Sequence, residues 1–252
     1  MTVDVERFDQ SFDKVSEDVV PVLDTLRQYC SATFFVTGEV AYNNPDLVKE
    51  ITDAGHEVAC HGLFHERFYK LGFAEQIRRI TIATENLTNA CGKRPLGFRA
   101  PQHTANAETI CALEKLEYVY DSSVLPQTPF MRPHAYEKRQ FLFAPKFPYF
   151  PSRFNIVKQG DCRVLELPVS TCIVPFMSNL SMRSNTLSDI VASMIARHAQ
   201  SRNVPIVYYL HSYDSRRGRK MEWLERVINT LRMHGAKFVT MHDASNSYTR
   251  AQ

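Results

Sequence analysis

A membrane-spanning helix needs roughly 18 or more consecutive apolar residues, and no stretch of this chain approaches that length. Nor does a positively charged segment lead into an apolar one after Met1, so no signal peptide is visible and a cytoplasmic location is expected. There is no C-x-x-C pair: Cys30, Cys60, Cys91, Cys111, Cys162 and Cys172 lie far apart, which argues against a secreted disulfide framework and for reduced thiols. An excess of one charge sign is also missing. The formal net charge is +3, and basic residues are scattered except in SRRGRK at 215–220, read as a solvated loop. No nucleic-acid surface is expected. What the chain does have is a 44% apolar fraction over 252 residues, ample for a core and expected to form one large α/β domain.

The apolar pattern alternates in period. TVDVE at 2–6 reads as a strand, and SEDVVPVLDTLRQYC as a helix with Ser16 as N-cap and Pro21 in its first turn. ATFFVTG is a buried strand, Pro45 opens the next helix, Gly55 ends it, and EVAC is a strand again. Phe73, Ile77, Ile80, Thr84 and Leu87 stripe a long helix, followed by GFRAP (strand), AETICALEKL (helix) and YVYDSSVL (strand). RVLELPVST, PIVYYLHS and KFVTM supply further strands, separated by the helices LSDIVASMIARHAQ and MEWLERVINTLRMHG. About seven strand-then-helix units without linkers favour a closed or nearly closed parallel barrel over an open doubly wound sheet.

Residues 126–161 interrupt this rhythm as an insertion in the single domain 1–252. They hold Pro126, Pro129, Pro133, Pro145, Pro148 and Pro151 with Tyr136, Phe141, Phe143, Phe147, Tyr149, Phe150 and Phe154. Such a segment either packs over one end of the barrel or offers a platform for a sugar ring.

Strand side chains alternate, so Asp4 and Glu6 point to the same side of the first strand. Two acids in a buried segment are costly unless their charge is compensated, and a metal ion is the candidate. His61 and His65, in HGLFH after EVAC, are expected to share one side of a helical turn. Two imidazoles and one carboxylate make an open zinc-type site. Arg99, Asp121 and His211 fall at the same end of other strands, where such barrels build their sites. His56 reads as a turn residue, His103 as a surface-loop residue, and Glu166 as a packing or mouth residue.

TVDVE, TFFVTG, GHEVACHGLFH, GFRAP, YDSSVLP, LELPVST and YLHSYD, in this order, resemble the polysaccharide deacetylase family (NodB-homology domain, carbohydrate esterase family 4). The resemblance implies a distorted parallel (β/α)7-type barrel and a metal-dependent hydrolase that removes N-acyl, usually N-acetyl, groups from amino sugars. It matches Asp4 to the catalytic base, His61 and His65 to metal ligands, Arg99 to the residue orienting the base, and His211 to the general acid. The main-chain N–H of Gln102 falls where an oxyanion would rest. One divalent ion is implied, zinc first, with cobalt, nickel or iron suiting the same donors.

Three departures matter. The family's paired aspartates are replaced by Asp4-Val5-Glu6, a D-x-E spacing similar to exopolysaccharide-locus and allantoinase-like members, which leaves Glu6 as third ligand and Asp4 as rival. The family motif with tryptophan is absent, since Trp223 lies on a late helix, and Asp121 is left either to tune His211 or to hold a loop. Tyr209 stands where a leucine lines the acyl pocket. The expected partner is a carbohydrate or other small amide. An allantoinase-like cyclic-amide hydrolase and an inactive carbohydrate-binding homologue are the alternatives.

Overall fold

Seven short parallel strands carry the fold. The computed structural model describes residues 1–7, 11–128, 140–217 and 221–248. In chain order the elements are β1 (Thr2–Val5), α1 (Phe12–Tyr29), β2 (Thr33–Val36), α2 (Gly38–Asn43), α3 (Pro45–Asp53), β3 (Glu57–Cys60), α4 (Phe73–Cys91), β4 (Gly97–Phe98), α5 (Ala107–Lys115) and β5 (Tyr120–Asp121). There follow β6 (Pro151–Ser152), β7 (Asn155–Gln159), β8 (Leu165–Glu166), α6 (Ser178–Arg183), α7 (Asn185–Arg202), β9 (Tyr209–His211), α8 (Glu222–Met233) and α9 (Met241–Ser245). The main sheet runs β8-β5-β4-β3-β2-β1-β9, every pairing parallel. It curls into a half-barrel with helices packed outside, the α/β architecture expected from the alternation.

Closure is achieved without a further strand. Between β8 and β9 the segment 170–177 fills the seam: Ser170 N–H donates to Val207 O (3.0 Å), Tyr209 N–H to Phe176 O (3.3 Å), and Met177 forms a parallel bridge with Tyr209. This explains why KFVTM is not the strand its β-branched and aromatic residues suggest. β1 is already flanked by β2 and β9, and the free edge of β9 is taken by 176–177, so 236–240 finds no edge to pair with. It runs instead into α9, whose first N–H groups donate to Thr33 Oγ1 (2.8 Å) and Glu57 Oε2 (3.0 Å).

Glu57 anchors the start of α9. It also accepts from Thr33 Oγ1 (2.7 Å) and from the hydroxyl of Tyr120 (2.7 Å), whose ring reaches it across Gly97. A Cβ at position 97 would lie 1.9 Å from Cζ of Tyr120. Glycine there is a requirement of packing.

The first helix differs from its expected form. It begins at Phe12 behind Ser11, so Ser16 lies inside it, and Pro21 sits in the middle of an 18-residue helix. Pro21 faces solvent, and Val15, Val19, Val22, Leu23 and Leu26 bury the opposite face. Nor is SRRGRK wholly solvated, because Arg216 forks onto Asp18 and ties the turn after β9 to α1.

The insertion is mainly a structural edge. Tyr149 pairs antiparallel with Glu166 (N–H to O 3.1 and 2.8 Å), covering the outer side of β8, and β6 and β7 form a hairpin. Phe141 and Tyr149 are buried, Phe147 stacks on His198 of α7 (5.3 Å), and Phe143 and Phe154 face solvent. Pro129, Pro133 and Tyr136 lie outside the described residues. None of the six cysteines is in a disulfide, and among the described residues no helix is long and apolar enough to cross a membrane.

Candidate active site

Along β1, Val3 and Val5 are buried as part of the hydrophobic core, while Thr2 and Asp4 alternate with them and meet Arg99. Arg99 follows β4 and is fully buried, a position a guanidinium tolerates only when its donors are engaged. Nη1 donates to Asp4 Oδ1 (2.8 Å) and Thr2 Oγ1 (3.0 Å), Nε to Ser122 O (3.0 Å), and Nη2 to Ser122 Oγ (2.9 Å). Its Cζ lies over the rings of Phe35 (4.1 Å) and Tyr209 (5.3 Å). Asp4 is thereby fixed, with Oδ2 3.6 Å from His61 Nε2.

Glu6 stands just beyond β1. Its Oε2 is 3.2 Å from His61 Nε2 and 2.8 Å from His65 Nε2, and one donor atom from each of these three residues falls within 4.8 Å of the others. His61 and His65 do not share a helical turn as expected. The loop turns sharply at Gly62 (φ +76°), where a Cβ would press on Phe68 (2.9 Å), and this bend brings the two imidazoles together.

Arg99 O accepts from His61 Nδ1–H (2.8 Å). In the neutral ring this leaves the Nε2 lone pair aimed at the carboxylates, an arrangement that calls for a cation between them. Glu6 Oε1 is buried and without a partner among the described residues. Burial pushes the Glu6 carboxyl up, yet hydrogen bonds to His61 and His65 outweigh it and hold the group well below the usual carboxylate range. Burial pushes His61 down, but Asp4 and Glu6 together raise it. Donor set and electrostatics fit a divalent ion on Glu6, His61 and His65, with Asp4 outside the cluster. His65 is partly exposed, so the cluster opens to solvent.

His211 is paired in register with Asp4 across β1 and β9. Its ring stacks on Tyr213 (4.5 Å), its main-chain N–H donates to Asp214 Oδ2 (2.9 Å), and its Nδ1 lies 3.7 Å from that oxygen. Burial raises Asp214, but hydrogen bonds from His211 and Ser178 (Oγ to Oδ2, 2.6 Å) hold it below the usual range. Asp214 therefore does what sequence reasoning offered to Asp121. The signal was present as H-x-x-D in YLHSYD.

Asp121 is buried beneath the site, accepting from Ser123 Oγ (2.6 Å) beside Glu166. Its neighbours serve the site indirectly: Ser122 holds Arg99, and Ser123 Oγ accepts from Ala100 N–H (2.8 Å). Glu166 is likewise no mouth residue, since it is buried and accepts from Val124 N–H (3.0 Å). Gln102 has a left-handed backbone (φ 55°) and an exposed side chain that accepts from Arg67 (3.3 Å), leaving its main chain for any oxyanion role. His103 is buried, with Nδ1 3.0 Å from Ser123 O and its ring edge-on to Tyr209 (5.1 Å). Tyr209 is buried, and burial with the charges of Asp4 and Glu6 keeps its phenol protonated far into the alkaline range.

A curled parallel half-barrel with these groups at the carboxyl ends of its strands belongs to the NodB-type class of α/β folds. Residues 6–120 match the family model described as polysaccharide deacetylase. A peptidoglycan deacetylase-like protein of Gibberella zeae is 36% identical over 110 residues (42% of this chain, 31% of that protein). The peptidoglycan-N-acetylglucosamine deacetylase PgdA of Listeria monocytogenes is 34% identical over 98 residues (38% and 21%). The chain thus spans a third or less of the length of these curated relatives. The fold matches a Mycobacterium smegmatis structure assigned as a polysaccharide deacetylase (TM-score 0.67, 22% identity, 100% of this chain and 93% of that one). It also matches the Puue allantoinase (TM-score 0.68, 17% identity, 93% and 74%). Residues 6–120 are thus similar to the polysaccharide deacetylase family, and the fold is the one seen in these solved structures.

Proposed function

We propose that this protein is a metal-dependent hydrolase that removes an N-acyl group, foremost N-acetyl, from an amino sugar in a glycan or glycan precursor. The observation that carries this reading is the Glu6–His61–His65 cluster set beside the Asp4–Arg99 pair. The named activities of the relatives, peptidoglycan deacetylation among them, support it. A divalent ion on the three ligands would polarise the amide carbonyl and acidify a water. Asp4, held in place by Arg99 through Oδ1, takes the proton of the attacking water onto Oδ2. The main-chain N–H of Gln102 steadies the carbonyl oxygen as charge gathers there. The His211 side, backed by Asp214, supplies the proton for the departing amine.

The test is metal content by mass spectrometry on the wild type, Glu6→Ala and His61→Ala, with acetate release from an N-acetylglucosamine oligomer measured in the same samples. Near-stoichiometric metal and acetate release in the wild type, both lost in the variants, are expected. Metal with no acetate, but ring opening of allantoin, would move the reading to a cyclic-amide hydrolase. No metal after reconstitution would overturn the mechanism and leave a carbohydrate-binding protein.

A further inference from the structure

Tyr209 occupies the place where a leucine is expected, and its hydroxyl lies 2.5 Å from His211 Nε2. We propose that this hydroxyl, and not the imidazole, hands the proton to the departing nitrogen, with His211 resupplying it from behind. The proposal rests on the hydrolytic reading given above.

The imidazole is held on its other sides. Asp214 carries its main-chain N–H and stands near Nδ1, and Tyr213 covers one face, so Nε2 is directed at the phenol oxygen. The phenol is held equally well. Its ring is edge-on to His103 and lies over the Arg99 guanidinium that fixes Asp4, so the hydroxyl shares a frame with the base. A residue that only lined an acyl pocket would need the ring and no oxygen on Nε2.

The transfer balances. As the C–N bond breaks, the nitrogen takes the Tyr209 O–H proton and the phenol oxygen takes the Nε2–H proton of the imidazolium. Tyrosine ends as it began, and His211 ends neutral. The proton that Asp4 removed from water returns to solvent, from which His211 is recharged.

The test is Tyr209→Phe, which deletes one oxygen and keeps the ring. The N-acetylglucosamine oligomer has an amine leaving group that needs a proton, whereas 4-nitrophenyl acetate releases a phenolate that needs none. We expect kcat on the amide to fall about 100-fold or more with KM little changed, while ester cleavage stays within about twofold of wild type, since no proton transfer is lost there. In histidine-labelled protein the ¹⁵N resonance of His211 Nε2 should move in the variant. The wild type alone should show a slowly exchanging Tyr209 hydroxyl proton close to the His211 ring, a readout that survives any folding defect in the variant. Equal loss on both substrates, no loss on either, or an unmoved Nε2 resonance would overturn the relay alone. A wild type that cleaves neither substrate would instead sink the hydrolytic reading, and the relay with it.

Discussion

His56 reads in the sequence as a turn residue, yet it is buried, its Nδ1 accepting from Ala32 N–H (3.2 Å) and its Nε2 without a partner among the described residues. Burial, helped by Arg27 and the amino terminus, pushes its pKa down to about 4. The unfolded chain takes up this proton near pH 6.5 and the native state refuses it, so stability is complete above that pH. It is lost as pH falls toward 4, by no more than ~1.4 kcal/mol per pH unit. His56→Asn keeps an acceptor for Ala32 and cannot titrate, so urea melts between pH 7 and 4.5 should show a shallower decline than wild type; parallel declines would refute this. The same limit on reading a sequence applies to His103 and Asp214. Alternation along β1 made Asp4 and Glu6 legible, whereas His103 is buried by a left-handed turn (φ 55°) and Asp214 enters through a 3₁₀ turn, neither of which has a periodic signature.

At the scale of elements, the pairing of β5 with β8 sets Asp121 directly opposite Glu166. Asp121 Oδ2 and Glu166 Oε2 are buried and meet no donor among the described residues, so charging both carboxyls side by side is costly and one of them holds its proton. Burial raises Asp121 to about 6, and burial with the charge of Asp121 lifts Glu166 well above the usual range. The native state therefore keeps a proton that the unfolded chain releases near pH 4. Stability from this pair is complete below that pH and declines as pH climbs through about 6. Glu166→Gln supplies a permanent donor to Asp121, so its stability should fall less between pH 4.5 and 7.5 than that of the wild type; denaturant titrations at the two pH values decide. The strands themselves were legible because runs such as TFFV and EVAC are apolar and bounded by breakers. Their two-residue lengths at β4, β5 and β8 were not, because how far a ladder extends depends on where the neighbouring strand begins.

For the whole molecule, the site depends on groups brought from five separate strand ends, and an ion held by Glu6, His61 and His65 would tie β1 to the loop after β3. Binding to the native state alone adds about 2.7 kcal/mol at a hundred times the Kd. A zinc-loaded sample should therefore melt above one treated with chelator, and Glu6→Ala should show no such difference. A zinc-dependent rise in Glu6→Ala equal to that of the wild type would place the ion elsewhere. The seam at 170–177 and the bridge of Tyr149 to β8 could not be foreseen, since both satisfy sheet edges that only the assembled barrel exposes. The crossing of Tyr120 beneath Gly97 is of the same kind, and it binds the history of two positions together. A lineage that placed any side chain at 97 would have to shrink residue 120 first, surrendering the hydroxyl on Glu57, so drift at one of these sites is closed until the other has moved.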